Sequence, residues 1–182
     1  MIMPSGRTHD RITYLSLPPL AVITYILTRQ WEWLLWFSAA YLFSGLMFGP
    51  DLDIYSIQYK RWGMIRWVWF PYQSCLKHRS FFSHGLIVGT VIRIIYIFII
   101  VLIVAIFVIA IAQFIWGFNW NWREVAETNF QLLKNQYLGE ALITFIGLEL
   151  GAMSHSISDI VVSHFKQSQK KPKKRRYKRK KK

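Results

Sequence analysis

The sequence predicts an all-α integral membrane protein, a bundle of about four helices followed by a disordered basic tail. Three observations lead there. Of 182 residues, 53% are hydrophobic and 17% aromatic but only 18% charged, more apolar than a soluble domain of this size. Several apolar runs approach or exceed the ~20 residues that cross a ~30 Å hydrocarbon core at ~1.5 Å per residue. The formal charge of +14 is gathered at one end: residues 166–182 hold twelve Lys or Arg and no acid, leaving a formal +2 for residues 1–165.

The elements follow in order. The first apolar segment, 12–28, is short and broken by Pro18 and Pro19. His9 and Asp10 before it and the prolines within it are unlike a cleaved signal, so the segment is expected in the mature protein, with Met1 or Met3 as the start. The second, 31–49, opens on tryptophans suited to a membrane interface. The third, 85–118, is the strongest, with Arg93 as its only charge, and is long enough for its first turns to project beyond the bilayer. The fourth, 137–163, is more amphipathic and contains Glu140 and Glu149. Arg93 and Glu149 lie at similar depths on helices entering from the same side and are expected to pair. Residues 1–165 thus form one helical membrane domain. The tail, 166–182, is low-complexity and self-repelling. The single cysteine, Cys75, excludes an intramolecular disulfide and a thiolate metal cluster, and is expected to be inert.

Four crossings from a cytoplasmic N-terminus place His9, the 50–84 loop and the C-terminus on one side. That side holds Arg7, Arg11, Lys60, Arg61, Arg66, Lys77, Arg79 and the tail, whereas the 29–32 and 119–136 connections balance Arg29, Arg123 and Lys134 against Glu32, Glu124 and Glu127. The positive-inside rule assigns the basic side, and both termini, to the cytoplasm.

On that same side lie four of the five histidines and all four aspartates, in four short clusters: His9-Asp10, Asp51-Leu52-Asp53, His78 with His84, and His155 with Asp159. Polar groups of this kind are costly in an apolar chain unless paired or coordinated. His155 and Asp159, at i and i+4, share one helix face and can reach one ion; a hydrogen bond near a helix end is the alternative. Asp51 and Asp53 repel unless a cation lies between them or one is protonated; a turn cap after Gly49-Pro50 is the alternative. His78 and His84 open the third segment, where an interfacial loop is the plain reading. His9-Asp10 equally suits a helix start capped by Ser5 or Thr8. Together, the clusters point to a metal site built from helix ends.

The stretches MPSGRTHDRIT, GPDLDI, HRSFFSHG and HSISD, in that order over residues 3 to about 165, resemble a family of small membrane proteins of cyanobacteria and other prokaryotes known only as metal-binding. That family is distantly similar to membrane-bound metal-dependent hydrolases of the damage-inducible inner-membrane type. Ser80, Ser83 and Gly85 stand where those hydrolases have Gly, Thr and Ser; both histidines and Arg79 match. The resemblance implies a prokaryotic inner membrane or a cyanobacterial internal membrane.

The ligand set expected is His9, Asp51, Asp53, His78, His84, His155 and Asp159, enough for one or two divalent ions with a bridging carboxylate. Imidazole and carboxylate without sulfur select Zn²⁺, Mn²⁺ or Fe²⁺ without separating them. Such an ion activates water for hydrolysis at neutral pH. Asp10 or Asp53 would orient or deprotonate that water, and Arg79 would stabilise a developing oxyanion. The expected function is hydrolysis of a phosphoester or lipid-like substrate at the cytoplasmic membrane surface. The aromatic and basic residues of 55–72 suit the lipid headgroup region. The rival expectation is a non-catalytic membrane protein with a structural or regulatory metal. Membrane lipids are the expected partners. Anionic headgroups are favoured for the tail over nucleic acid, because only Tyr177 could stack on a base.

Overall fold

The computed structural model describes residues 6–168, with side chains described over residues 8–158. No strand occurs among the described residues. The long helices are α1 (Gly6–Thr28), α2 (Trp31–Leu46), α6 (Val88–Trp116) and α8 (Leu138–Ser168). Between α2 and α6 run a 3-10 turn at Pro50–Asp53, α3 (Ile57–Lys60), a 3-10 stretch at Gly63–Trp69, α4 (Phe70–Cys75) and α5 (Phe81–His84). Helix α7 (Trp122–Asn135) joins α6 to α8, where the sequence suggested a plain connection.

Helices α1, α2 and α8 form the bundle. α1 is antiparallel to α2: Tyr25 packs on Trp31 at one end, with ring centroids 4.5 Å apart, and Thr13 lies against Gly45 at the other. One turn in from the Thr13 end, Ser16 Oγ and Tyr41 Oη are 2.6 Å apart. α8 runs parallel to α2, with Gly139 beside Trp33, Gly147 beside Phe37 and Ala40, and Gly151 beside Tyr41 and Ser44. A Cβ at Gly147 would lie 2.6 Å from the Phe37 carbonyl oxygen. Gly147 and Gly151, four residues apart, let two backbones meet where lipid provides no hydrophobic drive.

The expected break at Pro18-Pro19 does not occur; α1 is continuous through both. The carbonyls that lose their donors, those of Tyr14 and Leu15, belong to exposed residues, so the missing bonds fall on the outer side of the helix.

The densest core lies in the 47–76 region. Phe48, Leu52, Tyr59, Trp69 and Tyr72 are buried together, and Ile92, Ile94, Tyr96 and Ile97 of α6 pack against them. Trp69 meets Tyr72 edge-on at 5.4 Å and Phe48 at 5.7 Å, arrangements that favour ring edges against ring faces. Three aromatics expected in the headgroup region, Tyr59, Trp69 and Tyr72, are therefore core; Tyr55, Trp67 and Phe70 remain exposed. Burial also pushes the Tyr72 phenol above its ordinary value, so it stays neutral.

Three stretches among the described residues are long and apolar enough to cross a membrane: Trp31–Asp53, Val88–Trp116 and Leu138–Ser158. α1 is not one of them by length and composition, although it packs antiparallel along α2. Beyond Ile97, no residue of α6 is buried.

Candidate metal centre

The bundle brings the start of α1, the end of α2 and the later turns of α8 to one end, beside the loop that carries the remaining histidines. The Pro50–Asp53 turn places two carboxylates there. Gly49 caps it in an extended conformation, the Leu52 amide donates to the Gly49 carbonyl at 3.3 Å, and Leu52 is driven fully into the aromatic core. With Leu52 fixed inward, Asp51 and Asp53 are held on the turn's flanks.

His78 sits in the loop before α5 and His84 at the end of α5, so the two reach the site from different directions, with ring centroids 5.2 Å apart. Each has its Nδ1 engaged. His78 Nδ1 lies 2.9 Å from Asp53 Oδ1, and His84 Nδ1 lies 2.8 Å from Ser83 Oγ and 3.7 Å from Asp53 Oδ2. Asp53, only 5% exposed, accepts a hydrogen bond from His78 and faces His84 with its second oxygen. A carboxylate on one ring nitrogen fixes the tautomer and aims the other nitrogen's lone pair.

Those other nitrogens, His78 Nε2 and His84 Nε2, are buried without a hydrogen-bond partner, and so is Asp51 Oδ1. Asp51, His78 and His84 each offer one ligand atom within 4.8 Å of the others. His84 Nε2 and Asp51 Oδ1 are 3.6 Å apart, close to the ~3.3 Å edge of a tetrahedron with ~2.0–2.1 Å bonds. Leaving three polar atoms buried and unpaired in one place is costly, and a shared cation relieves all three. The residues present fit a metal ion.

Asp51 also faces the other way. Its Oδ2 is 3.0 Å from His155 Nε2, which has no aligned hydrogen bond. The His9 ring stacks on His155 at 4.0 Å, and its Nδ1 bonds Ser158 Oγ. Gln58 Nε2 donates to the Gly45 carbonyl at 3.0 Å and lies 3.3 Å from His155 Nδ1. One carboxylate thus stands between two histidine pairs, one on the loop and one on the bundle.

Of the residues singled out from the sequence, His9, Asp51, Asp53, His78, His84 and His155 gather here. Asp10 does not: Arg61 grips its carboxylate at 3.0 and 2.5 Å and donates to the Leu46 carbonyl, drawing Asp10 to the bundle's outer edge. Arg79 is exposed, with a left-handed backbone at φ +60°. Asp159 and the basic tail lie outside the described residues. Gln58 and Ser158 escaped the sequence reading. Ser158, one helical turn from His155, had a spacing signal; Gln58, from a separate helix, had none.

Arg93 and Glu149 do not pair as expected. Arg93 donates to the Ser83 carbonyl at 3.0 Å and to Thr90 Oγ1 at 2.9 Å, while Glu149 Oε1 accepts from the Ile87 amide at 2.9 Å. Ile87 has φ +63°, a strained value for a β-branched residue. Both charges are spent on the backbone around His84.

A family match covers residues 4–169. The chain belongs to the DUF2227 family, described as uncharacterized metal-binding proteins. Among the described residues, Asp51, His78 and His84 form the group whose geometry could hold such an ion. An uncharacterized protein of Aquifex aeolicus (strain VF5) is 31% identical over 62 residues, covering 34% of this chain and 43% of the relative. The chain therefore matches less than half of that protein's length. No solved structure matches the chain.

Proposed function

We propose that the protein is a metal-dependent hydrolase embedded in a prokaryotic inner membrane or a cyanobacterial internal membrane. Its centre lies at the cytoplasmic face, and its substrate is a phosphoester of an amphiphile. The observation that carries this is the convergence of unpartnered atoms on Asp51, His78 and His84, whose side chains are 15%, 27% and 17% exposed. Three protein donors leave a tetrahedral ion one position for water or substrate, and partial exposure gives access to it. A bound Zn²⁺, Mn²⁺ or Fe²⁺ would supply Lewis-acid polarisation and activate water near neutral pH.

The chain's own residues divide the remaining work. His78, His84 and Asp51 would hold the ion. Asp53 orients the two loop histidines. His155, backed by His9, faces the second oxygen of Asp51 and provides, with it, the start of a second ion's site. Arg79, in a strained turn beside His78, is the candidate for charge that develops on a phosphoryl oxygen. α2, α6 and α8 as spans, with α1 packed along α2, support a topology in which the centre and the Lys60–Arg66 region face the positive, cytoplasmic side. The tail is proposed to bind anionic headgroups.

One observation favours a second reading. Asp51 touches His84 of α5 and His155 of α8, so an ion held here also ties the loop to the bundle. A site closed by protein ligands would be structural or regulatory. Elemental analysis of detergent-purified protein, beside His84→Ala, tests the metal; phosphoester turnover with each of the three ions tests catalysis. Metal lost in the variant with turnover in the wild type supports the hydrolase. Metal without turnover favours the second reading, and no metal after reconstitution removes both.

A further inference from the structure

Helix α7 is not used by the metal centre and has no buried residue. It is nevertheless strongly two-sided. At ~100° per residue, Trp122, Val125, Ala126, Leu132 and Leu133 share one side with Phe130 at its edge, whereas Arg123, Glu124, Glu127, Gln131 and Lys134 occupy the other. On the apolar side Trp122, Phe130, Leu132 and Leu133 are 49%, 61%, 39% and 47% exposed. The polar side has its own order: Arg123 Nε donates to Glu127 Oε1 at 2.7 Å.

Two further observations say what covers the apolar side. The first is tethering. Five residues, 117–121, join α7 to α6 and two, 136–137, join it to α8. At ~3.5 Å per residue these reach at most about 17 and 7 Å. A helix leashed this closely between two spans cannot leave the bilayer boundary. The second is the run of rings at the leash. Phe118 and Trp120 lie 6.1 Å apart and Trp120 and Trp122 5.5 Å, immediately after Trp116. Rings with an apolar body and a polar edge collect at headgroup level.

We infer that α7 lies flat in the bilayer interface on the face opposite the metal centre, its apolar side in lipid and its charged side in water. Arg123 and Lys134 balance Glu124 and Glu127, so the attachment rests on apolar burial and does not select anionic lipid. The two membrane faces thereby differ: the centre's face carries the basic excess, and the opposite face is held by a neutral amphipathic helix. The inference rests on α6 and α8 as spans and not on any metal.

The test uses full-length protein with exposed Cys75→Ser, in phosphatidylcholine vesicles with and without anionic lipid. Single nitroxide labels are placed through Ile103→Cys, Glu127→Cys and Leu133→Cys, and collisions with oxygen and with a water-soluble nickel chelate are compared. The expected result is oxygen preference at 103 and 133 and nickel preference at 127, unchanged by anionic lipid. Nickel preference at both 127 and 133, with 103 still in lipid, overturns the inference and leaves the spans intact. Exclusion of both probes at 133 overturns it in favour of protein contact, such as a second copy. Nickel preference at 103 overturns the spans themselves.

Discussion

Asp53→Asn is the substitution that best separates holding an ion from orienting its ligands. The carboxylate is buried, with Oδ1 at 2.9 Å from His78 Nδ1 and Oδ2 at 3.7 Å from His84 Nδ1. Asparagine keeps the shape. If its oxygen stays on His78, its amide turns donor against donor toward the His84 Nδ1 proton. Both Nε2 lone pairs then lose the negative charge that raises their basicity. Loss of such support weakens metal binding by about 10–100-fold, or roughly 1.4–2.7 kcal/mol. His84→Ala removes one of three donors outright and should weaken it further. Affinity is measured by competition with a chromogenic chelator for Zn²⁺ in detergent, and thermal unfolding of the metal-free proteins checks the fold. Unchanged affinity in Asp53→Asn would refute the supporting role. Affinity as poor as that of His84→Ala would refute it differently, by making Asp53 a ligand.

Three further outcomes are expected. Gly151→Ala places a methyl group against the Tyr41 carbonyl and 2.9 Å from Ser44 Cβ, and should destabilise the α2–α8 contact by about 1–3 kcal/mol; an unchanged melting temperature in detergent would contradict the close approach. Arg61→Ala breaks a pair whose members are 32% and 24% exposed, so it should cost no more than about 1 kcal/mol and leave metal affinity intact. Metal loss in that variant would bring Asp10 into the centre. Glu149→Leu removes the acceptor for the Ile87 amide, worth about 0.5–1.5 kcal/mol, and should loosen the His84 turn and lower metal affinity, while Glu149→Gln retains both. Equal affinities in the two variants would separate Glu149 from the site.

Much of the fold was legible because its strongest signals are local. The apolar run that became α6 needs no partner to be recognised, and its unburied surface from Ile97 onward is what a lone lipid-facing span requires. The Trp31 cluster and the apolar, more amphipathic run of 137–163 likewise marked α2 and α8. Where the reading failed, a tertiary contact outweighed a local preference. Pro18 and Pro19 predicted a break, yet α1 continues through them, with Thr13 and Tyr25 packed against α2 on either side. The aromatics of 55–72 showed amphipathic composition, but nothing local distinguishes Trp69, fully buried under Phe48 and Tyr96, from Trp67, which is exposed two residues earlier. The amphipathic periodicity of α7 was present in the sequence, but a short charged stretch between two spans also suits a plain connection.

Membership of the candidate centre was legible for a different reason from the roles within it. Clustering of His and Asp needs only their scarcity elsewhere, so six of the residues expected to ligate are found together. Roles depend on which ring nitrogen faces which carboxylate, and that is set by residues with no motif. Asp51 and Asp53 are two positions apart and chemically identical. Leu52 between them anchors the turn in the core, after which one carboxylate faces the Nε2 atoms of His84 and His155 while the other faces the Nδ1 atoms of His78 and His84. The charges within the spans make the same point. Arg93 and Glu149 were expected to neutralise each other, since an isolated charge in an apolar segment is costly. Instead one holds the carbonyl of Ser83 and the other the amide of Ile87, on either side of His84. A buried arginine and a half-buried glutamate thus clamp five residues of backbone around His84 instead of neutralising each other, which fits a fold that spends charge on placing that histidine.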